Sequence, residues 1–119
     1  MPQTHHTIDY IEIPARDLAA ATAFYAAAFG WRFNDYGPAY AGIRSADGEG
    51  EVGGLAATDE PTGSGGPLVL LYSDDLEATA EAVVAAGGAV VRGPYDFPGG
   101  RRLHFTDPTG NELGVWSEG

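Results

Sequence analysis

The chain has 119 residues, 44% of them hydrophobic, and a formal net charge of -11 against only six basic residues. The length predicts one domain with its own core, and the charge repels phosphate backbones, so nucleic acid is not an expected partner. Without cysteine there is neither a disulfide framework nor thiolate chemistry; with no apolar run near the roughly 18 residues of a membrane span and no signal-peptide pattern in MPQTHHTIDY, a cytoplasmic protein without a membrane partner is expected.

In chain order, Ile8 to Ile13 reads as a strand, with Ile11 and Ile13 on one side and Tyr10 and Glu12 on the other. Asp17 offers an N-cap to a helix over Leu18 to Phe29. Its apolar stripe is Leu18, Ala21, Tyr25 and Ala28, widened by Phe24 and Phe29, and Gly30 supplies the stop. Short strands follow at Trp31 to Asn34, Tyr40 to Ser45 and Glu51 to Ala57, the last two joined by the turn DGEGE. Thr58 to Pro67 has the Pro, Gly and Ser content of a linker. The pattern then restarts with a strand over Leu68 to Tyr72. Asp74 or Asp75 caps a helix over Leu76 to Ala86, with Asp74-x-x-Glu77 as a candidate capping box, and Gly87 and Gly88 end it. Ala89 to Arg92, Arg102 to Thr106 and Glu112 to Ser117 are the closing strands. GPYDFPGG, between the first two of these, reads as a loop that forms a lid or rim.

A shift of 58 positions lays Asp17-Leu18 on Asp75-Leu76 and Gly30 on Gly88 without a gap. Each half then reads β-α-β-β-β, and neither buries its sheet alone. The expected fold class is α+β: two tandem βαβββ modules, about 8–57 and 68–117 with a linker at about 58–67. They form a curved, mostly antiparallel sheet around a central cavity, helices outside.

The stretches YIEIPARDLAAATAFYAAAFGW and FTDPTGNELGVW resemble the vicinal oxygen chelate superfamily. It includes glyoxalase I, extradiol dioxygenases, fosfomycin resistance enzymes and bleomycin resistance proteins. The resemblance spans nearly the whole chain and is nearest to single-domain bacterial glyoxalase-like proteins; it is specific for a fold, not for a reaction. It implies metal-ligand positions at Tyr10, about Leu68, Gly114, and among Gly53, Gly54 and Leu55. A divalent ion needs several N and O donors at about 2.0–2.2 Å, and these residues do not supply them, so neither a metal nor another cofactor is expected. His5 and His6 sit in a polar leader and read as solvated.

Taken from those positions, strand alternation assigns the cavity face. Tyr10 brings Glu12; Leu68 brings Leu70 and Tyr72; Gly114 brings Glu112 and Trp116. By resemblance to the fosfomycin-resistance branch, His104 takes a substrate-contacting position, with Arg102 on its face. Glu12 and His104 are the acid/base candidates. The other eight (Tyr10, Leu68, Leu70, Tyr72, Arg102, Glu112, Gly114 and Trp116) are candidate ligand contacts, Gly114 leaving free volume. Each acid/base candidate also has a structural reading: Glu12 in an ion pair with Arg101 or Arg102, and His104 as a core histidine bonded to a neighbouring carboxylate. Arg101 and Arg102 are adjacent, so at most one enters the cavity. PGGRR is a weak phosphate loop because no helix follows it.

The expected function is binding of a small organic molecule between the modules, with metal-independent proton transfer of the lyase or isomerase type. The alternative is sequestration without chemistry, as in bleomycin resistance proteins. The missing ligands disfavour a metal-dependent lactoylglutathione lyase or dioxygenase. The resemblance also implies a homodimer, with the Tyr36 to Tyr40 region as a contributing edge.

Overall fold

A computed structural model describes residues 5–59 and 67–118. The elements run β1 (Ile11–Ala15), α1 (Leu18–Phe29), β2 (Phe33–Asp35), β3 (Tyr40–Arg44), β4 (Glu51–Ala57), β5 (Leu70–Tyr72), α2 (Leu76–Ala85), β6 (Ala89–Phe97), β7 (Gly100–Thr106) and β8 (Glu112–Ser117). The fold is α+β, a βαβββ module used twice. The strands form not one sheet but two separate four-stranded sheets, ordered β1-β4-β3-β2 and β5-β8-β7-β6. Each sheet has one parallel pair, β1 with β4 and β5 with β8, and antiparallel pairs elsewhere. Of the expected linker, residues 60–66 lie outside the described residues.

Local chemistry sets the helix limits. Asp17 accepts from the Ala20 amide at 3.0 Å, and Asp75 accepts from the Ala78 amide at 3.1 Å. These are the same bond at the same place in the repeat, so Asp17→Ala and Asp75→Ala should each cost about 1 kcal/mol, measured by urea unfolding. With Asp75 as the cap, Glu77 stands one position too early for the capping box proposed on Asp74. Gly30 ends α1 in the left-handed conformation at φ 73°. In α2 that conformation falls on Gly87, at φ 103°, one residue before the position expected from the repeat. Gly88 is needed for space instead: a Cβ there would stand 2.7 Å from the Phe24 ring and 2.8 Å from the Thr106 carbonyl.

One core joins the modules. Ile13, Ala15, Phe24, Tyr25 and Leu55 of the first pack with Leu76, Val83, Leu103, Phe105 and Val115 of the second. Each fully buried side chain of this size contributes roughly 1.5–3 kcal/mol. At one corner the seam is polar. Asn111 donates from Nδ2 to the Pro14 carbonyl at 2.6 Å, the Arg16 amide donates to Thr109 Oγ1 at 3.1 Å, and the Tyr25 hydroxyl donates to Asp107 at 2.9 Å. Burial, then the charge of Asp107, pushes the Tyr25 phenol far above its usual pKa.

The strand expected at Ile8 to Ile13 begins at Ile11 and runs on to Ala15. The largest correction concerns GPYDFPGG. Gly93 to Phe97 is not a loop or lid but the second half of β6, paired with β7 through Tyr95↔Arg102 and Phe97↔Gly100. β6 is an edge strand, where the missing N–H of Pro94 leaves no ladder bond unmade.

Candidate functional site

Each sheet packs one face on the helices and leaves the other open. On the first sheet, Glu12, Gly54, Gly42 and Asn34 lie in one row across β1, β4, β3 and β2. Tyr10 and Tyr40 bond hydroxyl to hydroxyl at 2.5 Å. Burial, then bonds to Tyr10 and Glu12, push the Tyr40 phenol above its usual pKa. Glu51 accepts from Asn34 at 2.8 Å and from the Tyr36 hydroxyl at 2.6 Å, which holds its carboxyl below the usual range. This face is phenolic and acidic. It is tight because Gly42 and Gly54 have no side chains: a Cβ at Gly42 would meet the Glu51 carboxylate, and one at Gly54 the Tyr40 and Tyr10 hydroxyls.

On the second sheet the register aligns Leu70, Gly114, His104 and Arg92 in one row, and Tyr72, Trp116, Arg102 and Tyr95 in the next. The Tyr72 ring meets Trp116 edge-on at 5.0 Å, and Phe97 meets it edge-on at 6.2 Å. His104 is bonded at both ring nitrogens, Nδ1 to Glu112 at 2.7 Å and Nε2 to the Tyr95 hydroxyl at 2.8 Å. Arg102 donates from Nε to the same hydroxyl at 2.5 Å. Its guanidinium lies 5.3 Å from the Phe97 ring centroid and 5.4 Å from that of Tyr95, with Arg92 4.8 Å from Tyr95 on the exposed side. This face is aromatic and cationic.

The sequence-derived candidates therefore divide between two faces. Tyr10 and Glu12 lie on the first. His104, Arg102, Glu112, Trp116, Tyr72, Leu70, Gly114 and Leu68 gather on the second. Glu12 and His104, expected as an acid/base pair, each bond within their own sheet. Glu12 does not pair with an arginine: Arg101 turns to the helix side and bonds Glu77 of α2 at 2.6 Å, while Arg102 turns to the open face. Nor does Gly114 leave free volume. Leu70 fills it, its Cδ2 standing 2.5 Å from where a Cβ would be, with Leu68 at 3.7 Å. Sequence reasoning missed Tyr95 and Phe97, and on the first sheet Asn34, Tyr36 and Glu51. A hollow of about 1070 Å³ lies between α1 and the helix side of β2 and β3, and none of the candidates lines it.

The metal-ligand positions implied by resemblance fall in two pairs, Tyr10 beside Gly54 and Leu68 beside Gly114. Two phenols crowd the first pair and leucine methyls fill the second. That chemistry does not fit a divalent ion, and among the described residues no three His, Cys, Asp or Glu side chains cluster to hold one.

A sequence model of the Glyoxalase/Bleomycin resistance protein/Dioxygenase superfamily matches residues 7–115. The chain belongs to this superfamily. It is 33% identical over 117 residues to CFP32 of Mycobacterium tuberculosis, provisionally named a glyoxylase; the match covers 92% of the chain but 45% of that protein. The chain thus spans about half the length of the curated relatives it matches first. Among solved structures, TnmS3 of Streptomyces sp. CB03234, an antibiotic binding protein, is 28% identical with a TM-score of 0.68, covering 98% of both chains. A glyoxalase-related enzyme from Fulvimarina pelagi has a TM-score of 0.78 at 21% identity, over 94% of this chain and 88% of that one, which shows the shared fold. Among the described residues no helix is long and apolar enough to cross a membrane.

Proposed function

We propose that the chain holds a planar organic molecule against the open face of its second sheet, and that it moves a proton on that molecule without a metal, as a lyase or isomerase does. One observation carries the reading. Tyr72, Trp116 and Phe97 make an aromatic wall on the same face as Arg102, His104 and Glu112. Rings provide area at low entropic cost, and a few convergent polar groups orient what they bind. On this reading the acidic face of the first sheet, with Tyr10, Glu12 and Tyr40, forms the second wall of a ligand cavity between the modules, and Glu12 contacts the ligand from there. On the same reading the protein works in the cytoplasm as a homodimer to which the Tyr36 to Tyr40 edge contributes.

Trp116 and Trp31 are the two tryptophans, and Trp31 is stacked on Tyr25 at 4.6 Å in the core. Planar aromatic carboxylates should quench the fluorescence of Trp116 and raise the melting temperature. Trp116→Leu should weaken binding about tenfold, the loss of one good ring contact. If no compound in a panel of planar aromatic acids and aromatic cations does either, the reading is wrong.

The antibiotic-binding TnmS3 supports a second reading, sequestration without chemistry. A bound compound recovered unchanged after long incubation would favour it.

A further inference from the structure

We infer that Tyr95 is the catalytic group of this face: a phenol that exchanges a proton with a carbon acid through His104 and Glu112, on an aromatic carbonyl compound bearing an anionic group. The inference rests on the ligand face proposed above. His104 is poorly placed to meet a ligand, being 5% exposed with both ring nitrogens engaged. A carboxylate only accepts, so Nδ1 carries the hydrogen toward Glu112, and Nε2 of the neutral ring is an acceptor. With that ring neutral, the Tyr95 hydroxyl donates to Nε2, and its oxygen accepts from Arg102 Nε–H. The order is directional: Arg102 to Tyr95, Tyr95 to His104, His104 to Glu112. It follows the logic of an oriented triad with a phenol in the reacting place. The carboxylate fixes the imidazole tautomer, the imidazole takes the proton, and the last group meets the reactant. Tyr95 is half-buried where His104 is buried, so it is the member of the relay that a ligand reaches.

The surrounding charge defines the substrate class. Arg101 is held by Glu77, but neither Arg92 nor Arg102 is in an ion pair among the described residues. Both guanidinium groups lie near the Tyr95 ring, so a carboxylate on the ligand finds Arg92, and charge growing on a carbonyl oxygen finds Arg102. In the step, Tyr95 Oη gives its proton to His104 Nε2 and takes one from the carbon beside the carbonyl. The C–H bond breaks, an O–H bond forms, and the electron pair moves to the carbonyl oxygen as an enolate. Tyr95 then protonates that oxygen and recovers its own proton from His104. The result is an enol, with nothing consumed.

Phenylpyruvate is a suitable probe, since it carries an aromatic ring, a carboxylate and an acidic C–H next to a carbonyl. Its deuterium exchange in D2O, followed by proton NMR, and its keto–enol interconversion, followed by absorbance, should both run faster with the protein than in buffer. Tyr95→Phe should lose about a hundredfold or more in kcat, the usual contribution of a positioned acid/base, with the Kd for the probe little changed. His104→Gln should lose as much. Glu112→Gln, which changes a positioning residue, should lose about tenfold and shift the pH–rate profile. Phenylpyruvate bound by the intact protein without faster exchange, or full activity in folded Tyr95→Phe, would overturn the relay and leave the binding reading in place. Failure of the intact protein to bind any aromatic acid would overturn the relay, and failure to bind aromatic cations as well would remove the binding reading too.

Discussion

Asp107→Ala should unfold this protein more readily than any other single polar substitution, at a cost of about 4 kcal/mol. The side chain is 5% exposed. Its Oδ1 accepts from the amides of Thr109, Gly110 and Asn111, each at 3.0 Å. Its Oδ2 accepts from the Tyr25 hydroxyl at 2.9 Å and Asn111 Nδ2 at 3.0 Å. Alanine removes the acceptor but leaves the donors; the Gly110 amide keeps the Asp107 carbonyl and Asn111 Nδ2 keeps the Pro14 carbonyl, while each buried donor left without a partner costs about 1–3 kcal/mol. Solvent reaching the turn at Pro108 and Gly110 offsets part of that. Tyr25→Phe removes one donor and spares the others, so it should cost only about 1–2 kcal/mol. The double variant should cost less than the sum, because both changes break the same bond. Urea unfolding followed by circular dichroism measures all three, and a melting temperature for Asp107→Ala within a few degrees of the parent would contradict the account.

The neighbouring glycines of β4 should respond very differently to alanine. At Gly53 a Cβ would stand 2.2 Å from the Ile11 carbonyl oxygen, which is backbone and part of the β1–β4 pairing. Nothing there can move without parting the strands, so Gly53→Ala should cost about 3 kcal/mol, the upper range for overpacking. At Gly54 the nearest atoms are the far ends of Tyr40 and Tyr10, which turn aside by rotation about their own bonds. Gly54→Ala should cost about 1 kcal/mol or less while breaking the contact between the hydroxyls. Thermal melts of the two variants decide the matter. Equal losses would mean that the strands yield as easily as the rings.

Where local chemistry sets structure, the sequence was legible. Asp17 and Gly30 bracket α1 because a cap and a left-handed stop act within a turn of the helix. Glu51–Ala57 and Glu112–Ser117 stand at the bounds expected for them. β6 was half lost because Gly93 and Pro94 look like a break, and only its place at the sheet edge tolerates them. With it went Tyr95 and Phe97, although Tyr95-Asp96-Phe97 shows the alternation of a strand. A carboxylate partner for His104 was one of its two readings, and Glu112 occupies that place. The link from Glu51 across to Asn34 and Tyr36 depends on empty space over Gly42, and no pattern within one strand reveals that.

The polar corner where Tyr25 meets Asp107 occurs once, although the architecture around it occurs twice. Moved by the repeat distance, Tyr25 lands on Val83, which is fully buried hydrocarbon. The halves of this chain are therefore no longer interchangeable parts. An artificial protein built from two first halves would have tyrosines without an acceptor, and one built from two second halves would have aspartates that keep their turn amides but lose the tyrosine donor. Whatever duplication produced the chain, its descendants have become dependent on each other, and neither half should be recoverable as a stable unit by cutting between them.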